Sequence, residues 1–109
     1  MEQKNNPREL NDLGYMLYFG EGMEENESKA IELFQRAVKM GLPEAMINLG
    51  WIYTTGVGIK QNCRKAIELF ERAAKLGNPY AMDNLELLYE HFDKDTLIYI
   101  LKKKNKIKK

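Results

Sequence analysis

Apolar residues return at helical spacing along most of this chain, and the pattern breaks at the same kinds of residue each time. Ala45, Leu49, Ile52 and Tyr53 recur on one side of a helix, as do Ala66, Leu69, Phe70 and Ala73 further on. These stretches predict a pair of helices joined by a loop that holds Gly56 and Gly58. The punctuation agrees. Asn6-Pro7 and Asn78-Pro79 each set a capping residue before a proline at the first helical position. Pro43 plays the same part after Leu42, a poorer cap. Asn26 and Asn62 are the expected N-caps of second helices, and Gly41 and Gly77 sit just past them, where a left-handed residue is needed.

The pattern is a repeat. Laid over itself at an offset of 36, the chain matches "NESKAIELFQRAVKMGLPEAM" to "NCRKAIELFERAAKLGNPYAM" without a gap, and 17 of the 36 pairs between residues 10–45 and 46–81 are identical. A third, partial copy starts at "PYAMDNLELLYE". A period of this length is the mark of a solenoid, whose units bury their apolar faces against one another. The repeated letters suit close packing. Gly14 and Gly50 fall in mid-helix, where glycine costs about 1 kcal/mol against alanine, so a neighbouring helix is expected to cross near the backbone there. Ala30, Ala37, Ala45, Ala66 and Ala73 are small on the expected inward faces, while Leu33, Phe34, Leu69 and Phe70 supply bulk.

The run Leu-Gly-x-x-Tyr-x-x-Gly-x-Gly, then Lys-Ala, then two alanines and a glycine, resembles the Sel1-like repeat, a relative of the tetratricopeptide repeat. Leu49, Gly50, Tyr53, Gly56, Gly58, Lys65, Ala66, Ala73, Ala74, Gly77 and Ala81 carry it. Residues 13–45 match nearly as well, departing at Leu17 and Val38, and the third copy has Glu86 in place of the first glycine. The resemblance implies an all-α, right-handed α–α solenoid of two full helix pairs plus a partial third pair acting as cap, with a role in protein–protein assembly. One domain is expected: repeat one at about 7–42, repeat two at about 43–78, a partial repeat and capping helix over 79–103 with Asp93 as its N-cap, and a basic tail at 104–109.

Composition narrows the setting. A chain of 109 residues suits one domain. No stretch reaches the roughly 20 apolar residues of a membrane span, and the polar start "MEQKNNPREL" predicts no signal segment. Some secreted relatives of the resembled family staple each repeat with a disulfide, but Cys63 is the one cysteine here. A cytoplasmic location is the expectation. The net charge of +1 hides an asymmetry: without "KKKNKIKK", Lys+Arg falls from 17 to 11 against 16 Asp+Glu, leaving −5. The tail suggests nucleic acid or an anionic surface as an alternative partner. No aromatic interleaves with the lysines to stack on bases, which disfavours it against a solvated tail.

Catalytic chemistry finds little support. Ser28 and His91, each unique, belong to distant parts of the predicted solenoid, and Cys63 with His91 fails for the same reason. Cys63 falls in the first turn of a helix, where a thiol pKa can drop. One His and one Cys make no metal site, "GVGIK" lacks the ending of a phosphate loop, and no cofactor is expected. The reading is a non-enzymatic adaptor or inhibitor.

A partner site follows from helical geometry. The first helix of each unit is expected to line the concave face, with Ala45, Leu49 and Tyr53 turned to the core. Half a turn away lie Glu44, Ile47, Trp51 and Thr54. Carried back by the offset, these become Arg8, Asn11, Tyr15 and Tyr18; carried forward, Tyr80, Asp83, Leu87, Glu90 and His91. Tyr15, Trp51 and Leu87 are thus expected in one row facing a protein or peptide partner, aromatic residues being enriched at binding hot spots. Apolar ends at Met1, Leu10 or the last helix leave a homodimer open as a further expectation.

Overall fold

A computed structural model describes residues 6–91, and every regular element in that stretch is an α-helix. They are α1 (Pro7–Phe19), α2 (Glu27–Lys39), α3 (Pro43–Thr55), α4 (Cys63–Lys75) and α5 (Ala81–His91). Each helix packs on the next in chain order, α1 on α2 and so on to α5. The result is an α–α solenoid of two full helix pairs followed by the first helix of a third. The expected capping helix at 94–103 with its Asp93 cap, the lysine tail, and Met1 all lie outside the described residues.

The helices begin and end for reasons written in the repeat. The Asn6 side-chain oxygen accepts from the backbone N–H of Arg8 at 2.9 Å, and its counterparts Asn26 and Asn62 accept from Lys29 and Lys65 at 3.0 and 3.1 Å. Each satisfies a donor left over at a helix start. Leu42 makes no such bond and is instead buried in the core. At the other end, Gly41 takes φ 86° and Gly77 φ 90°. There the Leu42 N–H reaches the Ala37 carbonyl and the Gly41 N–H reaches Val38, at 3.2 and 2.9 Å; Asn78 and Gly77 repeat this with Ala73 and Ala74. This double closure needs a left-handed residue, which glycine adopts without Cβ strain. The third unit opens differently. Asn78 accepts from the Tyr80 N–H at 2.9 Å, and its carbonyl takes the Ala81 N–H at 3.3 Å, as the Leu42 carbonyl takes that of Ala45 at 3.1 Å. But Leu42 also takes the Met46 N–H at 3.2 Å, whereas in the third unit the next bond runs from the Asn84 N–H to the Tyr80 carbonyl at 3.0 Å, and α5 starts at Ala81 rather than Pro79.

One apolar core runs the length of the stack. Phe34 and Phe70 are its largest fully buried side chains together with Met46 and Leu88, and each buried ring contributes roughly 2–3 kcal/mol. The mid-helix glycines answer to those rings. A methyl carbon at Gly50 would lie 2.6 Å from Phe70 Cε1, and one at Gly14 would lie 3.0 Å from Phe34 Cε1. The neighbouring helix expected to pass close to each glycine is the second helix of the same unit, and it makes the close approach with a phenylalanine ring. Leu10 is also part of this core, only 2% exposed, so it offers nothing to a dimer seam.

Candidate functional site: a cleft between the first helices

Helices α1 and α3 lie beside each other without packing tightly along their length, and two hydrogen bonds tie α1 to α3 and to the loop that follows it. Toward the middle of the two helices, Asn48 Nδ2 donates to Asn11 Oδ1 at 2.9 Å. Near the helix ends, the Tyr18 hydroxyl donates to the Val57 carbonyl at 2.9 Å. Between α1 and α3 lies a cleft of about 540 Å³, walled by Tyr15, Phe19, Trp51, Ile52 and Val57, with buried Phe34 among its lining. Pockets that hold small ligands or anchor side chains have this size and apolar character.

The walls differ in how firmly they are held. Trp51 is half-buried; its ring lies 5.3 Å from that of Phe70, and Nε1 donates to Asn84 Oδ1 at 3.2 Å. Tyr15 is 42% exposed and Phe19 59% exposed, their rings 4.7 Å apart. Tyr18 completes the group with its ring edge-on to Phe19 at 5.1 Å. Burial pushes the Tyr18 hydroxyl pKa up; a hydrogen bond with Thr55 pulls it back, and the carboxylates of Glu27 and Glu25 add to the rise.

Of the residues expected on the concave face, Tyr15, Tyr18 and Trp51 meet at this cleft. Asn11 serves as the bridge to Asn48, and Ile47 is half-buried against the core. Thr54 departs from expectation. It is 8% exposed and its hydroxyl donates to the Gly50 carbonyl at 2.9 Å, so it presents nothing to a guest. Arg8, Glu44, Asp83, Leu87 and Glu90 are exposed but line no part of the cleft. Helical spacing from Trp51 missed Phe19 and Val57. Phe19 follows Tyr15 by four residues and so shares its face, a signal that was available. Val57 arrives through the left-handed turn at Gly56, which a helical wheel does not reach.

Other candidate chemistry resolves simply. Burial raises the Cys63 thiol pKa, and a backbone hydrogen bond only partly offsets it, so the lowering that a helix start can produce does not prevail here. No group of His, Cys, Asp and Glu able to hold a metal occurs among the described residues. Gly58 of "GVGIK" faces Glu27 and Ile31 of the preceding unit, as an interhelical loop does. Among the described residues no helix is long and apolar enough to cross a membrane.

Stacked helical hairpins sharing one core, with an apolar cleft between neighbouring first helices, define a helical-repeat scaffold of the α-solenoid class. Within that class the chain belongs to the Sel1 repeat family, whose model matches residues 10–42 and 43–78 in tandem. The fold is similar to the crystal structure of a Sel1 repeat protein from Oxalobacter formigenes, at 30% identity and TM-score 0.73, covering 78% of this chain and 35% of that one. It is similar to a protective antigen of uropathogenic Escherichia coli with an SLR fold, at 25% identity and TM-score 0.76, covering 84% and 20%. Helicobacter pylori cysteine rich protein B aligns at 25% identity and TM-score 0.69, covering 74% and 61%. The chain thus spans about a third of the Oxalobacter protein and a fifth of the E. coli antigen. No curated protein sequence matches it significantly. Sel1 repeats generally mediate protein–protein interactions and act as scaffolds rather than as enzymes.

Proposed function

We propose that this chain is an adaptor or inhibitor that grips a segment of a partner protein in the cleft between α1 and α3. The observation that carries the reading is the pair of exposed aromatic rings, Tyr15 and Phe19, standing over an apolar hollow. Each ring leaves apolar area in water that a guest side chain covers on binding, and aromatic anchors dominate the energy of such contacts. Trp51 supplies a rigid opposite wall, already positioned by Phe70 and Asn84. A wall that does not need ordering on binding saves side-chain entropy of about 0.5–1.5 kcal/mol.

Affinity capture from the native cell, comparing wild-type bait with Tyr15→Ala/Phe19→Ala bait, tests this. The exposed rings contribute little to the core, so the helical circular dichroism spectrum is expected to stay and partner recovery to fall by about tenfold or more. Equal recovery by both baits rules out the cleft. Trp51→Ala is a poorer test, because it also strips packing from Phe70.

A further inference from the structure

We infer that the segment taken by this cleft is basic: one or two large apolar side chains enter the hollow, flanked by lysine or arginine that meets carboxylates at its mouth. This rests on the cleft being the binding site and adds the chemistry of the guest.

Among the described residues, the charged side chains that line the cleft are Glu25 and Glu27, and no lysine or arginine lines it. They belong to the loop from Gly20 to α2, "GEGMEENE", which carries Glu21, Glu24, Glu25 and Glu27 with no basic residue among them. Glu21, Glu24 and Glu25 are exposed. The hairpin itself does not require this charge. The matching loop of the second unit, "GVGIKQNC", has the same pair of left-handed glycines (φ 74° and 86°, against 71° and 74°) yet holds no carboxylate. Its Lys60 is exposed and lies outside the cleft lining. Glu27 in the first turn of α2 does favour the helix dipole, but that explains none of the other three. The carboxylates also act on the cleft wall, since both Glu27 and Glu25 raise the pKa of the Tyr18 hydroxyl. An apolar hollow with a one-signed rim selects guests by charge complementarity, which favours the right partner and penalises like charge.

Selection from a random library of peptides of about twelve residues, displayed on phage and panned against the full chain, tests the inference. Parallel panning uses Tyr15→Ala/Phe19→Ala and Glu25→Gln/Glu27→Gln variants. Enriched sequences are expected to combine Lys or Arg with Leu, Phe or Trp. Their binding is expected to be lost on the aromatic variant and weakened about tenfold on the Gln variant or in about 0.5 M salt. Sequences that depend on Tyr15 and Phe19 but are neutral or acidic overturn the basic-guest inference and leave the cleft standing. Sequences indifferent to the aromatic variant, or no enrichment at all, overturn the cleft and the inference together. Light scattering on the protein alone addresses another occupant: a dimer dispersed by Glu25→Gln/Glu27→Gln makes the guest a second copy and overturns a separate partner.

Discussion

Gly50 shows how much of this fold turns on single atoms. Replacing it with alanine improves helix propensity by about 1 kcal/mol, but the new methyl would stand 2.6 and 2.9 Å from two carbons of the Phe70 ring. That ring is fully buried and braced by Trp51, so it has nowhere to go, and overpacking of this kind costs about 1–3 kcal/mol. Gly50→Ala is therefore expected to lose about 1–2 kcal/mol in a urea melt, while Gly14→Ala, with a 3.0 Å approach to Phe34, stays within about 1 kcal/mol of wild type. Equal effects at the two sites would undercut the account of why the repeat carries glycine there. That a mid-helix glycine marks close packing was legible in the sequence. That the neighbour is a phenylalanine ring of the same unit was not, because spacing along one helix says nothing about which side chain arrives from another. Thr54 makes the same point: half-turn arithmetic put it outward, whereas its hydroxyl bonds back to Gly50 and neighbouring elements cover it.

At the scale of the helix, ends were more legible than faces. The asparagine caps and the Gly41 and Gly77 closures are local chemistry, each decided by residues within one turn, and the sequence displays them twice. The start of α5 falls two residues past the Asn78-Pro79 signal: the Leu42 carbonyl takes both the Ala45 and Met46 N–H groups as α3 begins, whereas the Asn78 carbonyl takes the Ala81 N–H and the next bond is from the Asn84 N–H to the Tyr80 carbonyl. The faces of α3 were harder to read. Met46, Gly50, Ile52 and Thr54 are buried along with Ala45, Leu49 and Tyr53, since α3 sits mid-stack with neighbours before and after it. An outward strip computed for a one-sided helix is too wide for such an element. The caps give a contrasting pair of expectations. Asn62→Ala loses the bond to the Lys65 N–H and about 1 kcal/mol of stability. Leu42→Asn adds a capping side chain but removes a buried one, so chemical denaturation is expected to show a net loss for it as well, of about 1–3 kcal/mol.

At the scale of the molecule, the cleft exists because two units stand side by side, and neither α1 nor α3 alone contains it. The offset of 36 made Tyr15 and Trp51 equivalent positions in the sequence, and the stack turns that equivalence into opposite walls of one hollow. Leu87 holds the same place one unit later and is exposed, but it does not line that hollow. The most direct test of the cleft is site-specific photo-crosslinking in the native cell. A benzophenone amino acid placed at Tyr15, over the cleft, is expected to trap the partner. The same group at Gln35, exposed on α2, is expected to trap little or none of it. Strong crosslinking from Gln35 with none from Tyr15 would contradict the assignment.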